Sequence, residues 1–361
     1  MEKYRVGIVG ATGMVGQRFI SLLKDHPWFE VNCVAASARS AGKTYREAVG
    51  ERWAFAWEIP EKVAGMTVVD AADIDEVSKH VDFVFCAVDM KKDEIRALEE
   101  AYAKHEIPVV SNNSACRGIE DVPMVVPEIN ADHLAVIEAQ KKRLGTKNGF
   151  IAVKPNCSIQ SYVPALTPLL DFEPEKVSVC TYQAISGAGK TFETGPEMVD
   201  NLIPYIGGEE EKSEQEPLKV WGHVEDGKIV NATLPVISAQ CLRVACSDGH
   251  MAAVSVSFKK KPTIEQIKER WANYETEAQR LELPSAPKPF LQYFEDPSRP
   301  QTRLDRDFQN GFGVSIGRLR EDKLFDYRFV CLSHNTVRGA AGGGILTAEL
   351  LCRKGYIPHR V

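Results

Sequence analysis

Cys157 lies in the run Val153-Lys-Pro-Asn-Cys-Ser158, between an apolar strand-like segment and the first turn of a predicted helix. Peptide dipoles aligned at a helix start favour a thiolate, which makes this cysteine a candidate nucleophile. A thiolate adds to an aldehyde carbonyl, the adduct passes hydride to a nicotinamide, and the thioester left on sulfur is resolved by a second nucleophile. Cys33, Cys86, Cys180 and Cys331 sit in apolar patterns that suit buried thiols instead. The nine cysteines are odd in number, irregularly spaced and without a CxxC pair. That pattern fits neither a disulfide framework nor a zinc site, so no metal is expected and a reducing cytoplasm is.

A thiol of this kind needs a base. Of eight histidines, His250 is best placed, because Ser247-Asp-Gly-His250 reads as a turn delivering the imidazole at the start of a strand. A turn histidine with no catalytic part is the alternative. His26, His80, His105, His133 and His359 occupy polar, surface-like contexts. Arg243 opens a short strand between apolar neighbours, a place that suits either a cation reaching a carboxylate in a cleft or a structural ion pair.

Gly10-Ala-Thr-Gly-Met-Val-Gly16 has glycines where a chain leaves a strand, approaches a pyrophosphate and opens a helix, which makes Gly10, Thr12, Gly13, Met14 and Val15 candidate dinucleotide contacts. At the end of the second strand stands Ser37-Ala-Arg-Ser40, with no acid to bind the two ribose hydroxyls of NAD. Arg39, flanked by the Ser37 and Ser40 hydroxyls, suits the 2′-phosphate of NADP.

The elements that must hold these groups follow from periodicity. Strands are predicted over 4–9, 31–36, 81–88, 107–110 and 150–153, with helices over 15–23 and 91–104 between them. This is the alternation of a doubly wound parallel sheet. Beyond the polar break 145–149, an apolar helix is expected from Cys157 to Leu170, and longer strand-like runs follow at 177–185, 242–245, 252–258, 312–319 and 326–332. These predict a second, α+β domain with a large mixed or antiparallel sheet, covered by helices over 194–206 and 263–279. A last helix, from about Ala340 to Arg353, is expected to return to the first domain. The fold class is therefore α/β, with a Rossmann-type unit over 1–155 and 336–361 and a catalytic unit over 156–335.

A length of 361 residues fits two domains, and 44% hydrophobic with 26% charged residues fits an ordinary globular chain. The net charge of -6 is spread without a Lys/Arg cluster, which argues against nucleic acid and anionic membrane and for small-molecule partners. The opening MEKYRVGIVG has no secretory pattern, and no apolar run reaches the length of a membrane span.

Taken with Val122-Pro-Met-Val-Val-Pro-Glu-Ile-Asn130, Pro155-Asn-Cys-Ser158 and Ser186-Gly-Ala-Gly189, these motifs follow one order along nearly the whole chain. The set resembles the aspartate-β-semialdehyde dehydrogenase family. The resemblance implies NADPH-dependent reduction of aspartyl phosphate to aspartate semialdehyde and inorganic phosphate, on the route to lysine, threonine and methionine. It implies Cys157 as nucleophile, His250 as acid/base and Gln183 as the group that orients the attacking atom. Arg243 would hold the substrate carboxylate and Glu209 its ammonium, while Arg117, Lys212 and Asn156 would hold phosphate. Ser186, Gly187 and Asn335 would line the nicotinamide end, and Gly339, Gly342, Gly343 and Gly344 would let a helix start approach the cofactor. A homodimer or homotetramer built through the second domain is also implied.

Among Glu209, Glu210 and Glu211 the register is open, and a solvated charge run is the plainer alternative. Cys116, beside Arg117, departs from the family's usual apolar residue and would add a second thiol if it lay near phosphate. Three rivals remain. N-acetyl-glutamyl-phosphate reductases typically read Pro-Gly-Cys-Tyr where this chain has Pro155-Asn156-Cys157-Ser158. Acyl-CoA reductases such as malonyl-CoA reductase fit the paired cations Arg117 and Lys212 less well than inorganic phosphate does. A non-catalytic NADP-binding sensor would have no use for Cys157, Gln183, Arg243 and His250 together.

Overall fold

The computed structural model describes residues 2–359. Six short strands, β1 (Tyr4–Val9), β2 (Phe29–Ala36), β3 (Val69–Asp70), β4 (Phe83–Cys86), β5 (Val109–Ser111) and β6 (Ile151–Val153), form one sheet in the order 3-2-1-4-5-6. All neighbours are parallel. β4, β5 and β6 are buried along their whole length, as a sheet covered on both faces requires. Strand order reverses between β1 and β4, which opens a crevice at their carboxyl ends. Helix α1 (Met14–Leu23) leaves that crevice and turns Phe19, Ile20 and Leu23 into the core, and α2 (Lys92–Lys104) packs on the opposite side.

The second sheet has seven strands in the order β13-β14-β15-β12-β7-β11-β8. They are β7 (Pro174–Gln183), β8 (Leu202–Ile203), β11 (Val236–Val244), β12 (His250–Phe258), β13 (Leu291–Phe294), β14 (Val314–Glu321) and β15 (Tyr327–Ser333); β9 (His223–Glu225) and β10 (Lys228–Val230) form a separate hairpin. The sheet is mixed, with β7–β11 and β13–β14 parallel and the other pairs antiparallel. Along β12 every second residue is buried, from His250 to Phe258, so the pleat turns His250 inward. Arg243 pairs with Gln183 where β7 and β11 end. It therefore closes a nine-residue strand instead of opening a short one.

Helix α3 (Glu209–Val220), a segment for which the sequence predicts site residues but no helix, packs along β11. Over 194–206, where a helix is expected, the chain forms one 3₁₀ turn, Pro196–Met198, and the short strand β8. Gly195, Pro196 and Pro204 bracket that segment and deny it a continuous helical ladder. The helix expected over 263–279 divides into Ile264–Ala272 and Glu277–Arg280, because Thr276 forms a capping box that starts the second piece. The run after Cys157 is likewise broken, into a 3₁₀ turn Cys157–Gln160, a single α turn Tyr162–Leu166 and a further 3₁₀ stretch. A dipole this short gives Cys157 less help than a long helix would, so fixed side-chain charges carry more of the weight.

Helix α4 (Gly342–Arg353) returns to the first sheet, with Ile345, Leu346, Leu350 and Leu351 in one core with Phe19 and Phe85. Gly344 admits the Phe19 ring: a β-carbon there would lie 2.9 Å from it. Two histidines expected at the surface are buried: His26 pairs with Glu349, and His133 bonds Asn130 and the Gly222 carbonyl. Among the described residues, no helix is long and apolar enough to cross a membrane.

Candidate active site

The β11–β12 connection and the turn after β6 bring Cys157 Sγ to 3.5 Å from His250 Nε2. The Ala184 N–H donates to His250 Nδ1 at 3.1 Å. Nδ1 is thereby an acceptor, and in the neutral ring the proton sits on Nε2, the nitrogen that faces sulfur. Burial, with Arg243 close by, presses the imidazole pKa down to about 3. Burial and then Glu209 push the Cys157 thiol up, while Lys154, Arg117 and Arg243 pull it back toward the thiolate. The ring is thus held neutral and ready to donate, and the nucleophile depends on its surrounding cations for ionisation.

Those cations come from separate segments. Arg243 donates from Nη1 to the Ala184 carbonyl at 2.8 Å, anchored on the same residue that orients His250. Gly187 lies against both: a β-carbon there would fall 2.7 Å from Arg243 Nη1 and 3.0 Å from His250 Nε2. On the other side of the thiol, Gly339 packs so closely that a β-carbon would come within 2.8 Å of Cys157 Cβ. The glycines after 339 crowd protein atoms as well, Gly342 against Val337 and Gly343 against the Arg338 carbonyl, so their smallness serves helix packing.

Helix α3 supplies the rest. Glu209 alone of the three consecutive acids is buried at this site; its Oε1 accepts from Asn156 Nδ2 at 3.0 Å and from Lys212 Nζ at 2.8 Å, and its Oε2 is buried without a partner. Glu210 turns away to Gln240 and the Cys241 N–H. Arg117 pairs with Glu216 at 2.9 Å and donates to the Asn112 carbonyl, leaving its buried Nε without a partner. Arg117, Lys212, Glu216 and Lys219 line one cavity of about 310 Å³ with Ser114 and Asn231. Cys116 faces away from it, fully buried near Glu99. Gln183 is also buried, and its amide donates to Thr181 Oγ1 at 3.2 Å.

Three buried groups escaped the sequence reading. Lys154 is fully enclosed, and burial, then Arg117, brings its pKa down to about 7. Glu216 and Lys219 belong to the helix that went unread. Glu209, Lys212, Glu216 and Lys219 recur at helical spacing on one face, a signal that becomes visible once 209–220 is drawn as a helix.

The crevice between β1 and β4 opens into a cleft of about 560 Å³ lined by Gly10, Thr12, Gly13, Ser37, Arg39, Ser40, Lys43 and Arg52. Gly10 has φ +90°, and a β-carbon there would sit 2.4 Å from the Ala87 carbonyl oxygen. At Gly16 a β-carbon would meet the Gly10 oxygen at 2.3 Å. No side chain caps the start of α1, so its first N–H groups are left to face an anion. These features fit a dinucleotide. A smaller cavity of about 140 Å³, lined by Met14, Arg18, Phe55, Ser186, Ser247 and Asp248, lies between the cleft's helix and the second sheet. Asn335 braces it, donating to Ser186 Oγ and accepting from the Gly249 N–H, both at 2.8 Å. Val15 packs against the core and lines neither cavity. A cavity of about 640 Å³ by Asp171 and Arg270 holds none of these groups.

Residues 5–137 match the semialdehyde dehydrogenase NAD binding domain, and residues 166–338 match the semialdehyde dehydrogenase dimerisation domain. Aspartate-semialdehyde dehydrogenase of Schizosaccharomyces pombe is 45% identical over 98% of this chain and 99% of its own length. The chain belongs to the aspartate-semialdehyde dehydrogenase family. The enzyme of that name from Archaeoglobus fulgidus is 43% identical over 98% of the chain and 100% of its own. A crystal structure of the Candida albicans aspartate semialdehyde dehydrogenase with NADP superposes with a TM-score of 0.89 at 39% identity, covering 99% of this chain and 100% of that one.

Proposed function

We propose that the chain reduces L-aspartyl 4-phosphate to L-aspartate 4-semialdehyde and inorganic phosphate, with NADPH, in the cytoplasm. The observation that carries this reading is the Cys157–His250 pair, set 3.5 Å apart beside the buried Arg117. The Cys157 thiolate attacks the acyl carbon, and phosphate leaves toward Arg117 and Lys212, whose charges offset the charge it carries away. A thioester then joins the acyl group to Cys157. Bound NADPH supplies the hydride that reduces it. The neutral His250 donates a hydrogen bond from Nε2 to the oxygen that becomes negative when hydride adds, and collapse of that oxyanion breaks the carbon–sulfur bond, which releases the aldehyde and restores the thiolate. Arg243 holds the substrate carboxylate, and the unpartnered Oε2 of Glu209 receives the ammonium. Gln183 keeps its part only by releasing Thr181 to face the reacting atoms. In the cofactor cleft, Gly10, Thr12 and Gly13 hold the pyrophosphate, and Ser37, Arg39 and Ser40 hold the 2′-phosphate. Ser186, Gly187 and Asn335 frame the nicotinamide end with Met14 beside them, whereas Val15, packed against the core, supports α1 and touches no cofactor. Residues 1–155 with 336–361 act as the cofactor unit and 156–335 as the catalytic one.

The same reading makes the protein a homodimer or homotetramer. Leu202 and Tyr205 at β8, and Leu234 and Val236 at the start of β11, leave apolar side chains exposed on the second sheet, as a surface that meets another copy would. The test of function is NADP reduction run in the reverse direction, with aspartate semialdehyde, N-acetyl-glutamate semialdehyde and malonate semialdehyde side by side. Rapid, phosphate-dependent turnover of the first alone is expected. A preference for either of the others, or a rate indifferent to phosphate, would overturn the reading.

A further inference from the structure

Helix α3 does more than line the site. Glu216 Oε1 accepts from Arg117 Nη1 at 2.9 Å, while its Oε2 accepts from the Asn156 backbone N–H at 2.5 Å. That N–H belongs to the Pro155–Asn156 peptide, and the carbonyl at the other end of the same peptide accepts from Lys154 Nζ. One peptide, a single residue before Cys157, is therefore gripped at both ends by buried side chains, an amine donating to its carbonyl and a carboxylate accepting from its N–H. The chain of contacts runs from Lys154 through the peptide to Glu216 and on to Arg117. One turn further along α3, Lys219 Nζ donates to the carbonyls of Arg117 and Ile119 at 2.7 Å and of Val122 at 3.0 Å, which fixes the loop that carries Arg117.

We propose that Glu216 is a positioning residue that couples the phosphate-binding Arg117 to the nucleophile turn, so that both are set by one carboxylate. This rests on Arg117 holding phosphate, as inferred above. Glu216 is itself nine-tenths buried, and each of its oxygens is engaged by a different half of the site. Two buried partners on one charge make their energies interdependent, because loosening one changes the geometry and field offered to the other. The guanidinium is held on one side by Glu216 and presents its unpartnered Nε on another, the arrangement expected of a cation waiting for an anion.

The experiment is a double-mutant cycle between Glu216→Gln and Arg117→Leu, with KM for phosphate, KM for NADP and kcat read in the oxidative direction. Gln keeps the volume and an acceptor for the Asn156 N–H but removes the charge facing Arg117. On its own, Glu216→Gln is expected to raise the phosphate KM about tenfold and lower kcat about tenfold, with the NADP KM within about twofold of wild type. In the Arg117→Leu background its further effect on kcat/KM for phosphate falls below about threefold. Equal losses in both backgrounds would overturn the coupling and leave the phosphate assignment standing. A phosphate KM unmoved by Arg117→Leu would overturn both. Glu216→Asp enters the same cycle, so a Gln variant that fails to fold still leaves the coupling open to measurement.

Discussion

The two halves of the cleft are built by different means. The cofactor half is made largely of backbone: Gly10 and Gly16 let strand, turn and helix meet closely, α1 presents uncapped N–H groups, and the side chain chosen for NADP, Arg39, is exposed. The catalytic half is made of side chains from distant segments, the Asn112–Arg117 loop, the Lys154–Cys157 turn, the β11–β12 connection and α3, and most of them are buried. A backbone site survives the trimming of one side chain. A site of buried charges does not, because each group left without its partner keeps its full desolvation cost.

The sharpest test of that contrast is His250→Asn. Losing the positioned proton donor should lower kcat by about 10²–10⁴-fold, with the Kd for NADP unchanged in fluorescence titration. Because burial and Arg243 press its pKa down to about 3, His250 should add no inflection to the wild-type pH–rate profile near about 6.5, the ordinary histidine value. In the other half, Arg39→Ala should raise the KM for NADP by about tenfold and leave kcat and the KM for NAD nearly unmoved. A large drop in kcat from Arg39→Ala, or none from His250→Asn, would erase the distinction between the halves.

The smallest effect concerns stability. Lys154 falls from an ordinary 10.5 to about 7 on folding. Between those values the unfolded chain holds a proton that the native state has released, so this group makes stability rise with pH across that window and withdraws it as pH falls through about 7. Lys154→Met removes the buried charge, so its Tm advantage over wild type should shrink between about pH 6 and pH 9. A pH-independent difference would mean that the ammonium is not desolvated as described.

The cofactor half was the more legible in sequence for the same reason that it is robust. A strand, three glycines and a helix lie within one short stretch, and local spacing determines their geometry. Cys157 and His250 stand out in sequence from turns, which are also local, and the fold brings them within 3.5 Å. Segment 194–206 forms no continuous helix because Pro and Gly outweigh its apolar pattern, and α3 is hard to see in sequence because its acids look like a solvated run until their partners are known. Glu216 and Lys219 are invisible in sequence, since their roles come from partners that fold up to about a hundred residues away, and Lys154 is invisible because its burial is set by the tertiary fold. Arg243 was noticed as a charge in an apolar strand, yet its place at the strand's end depended on a register that only sheet pairing with β7 defines.

The central claim is that Cys157 carries the acyl group and that phosphate only discharges it. Mixing the enzyme with aspartate semialdehyde and NADP without phosphate tests this directly, by absorbance of NADPH and mass analysis of the peptide that contains Cys157. The account predicts a burst approaching one NADPH per site and an aspartyl adduct on Cys157, both followed by steady turnover once phosphate is added. No burst, or an adduct on another residue, would contradict it.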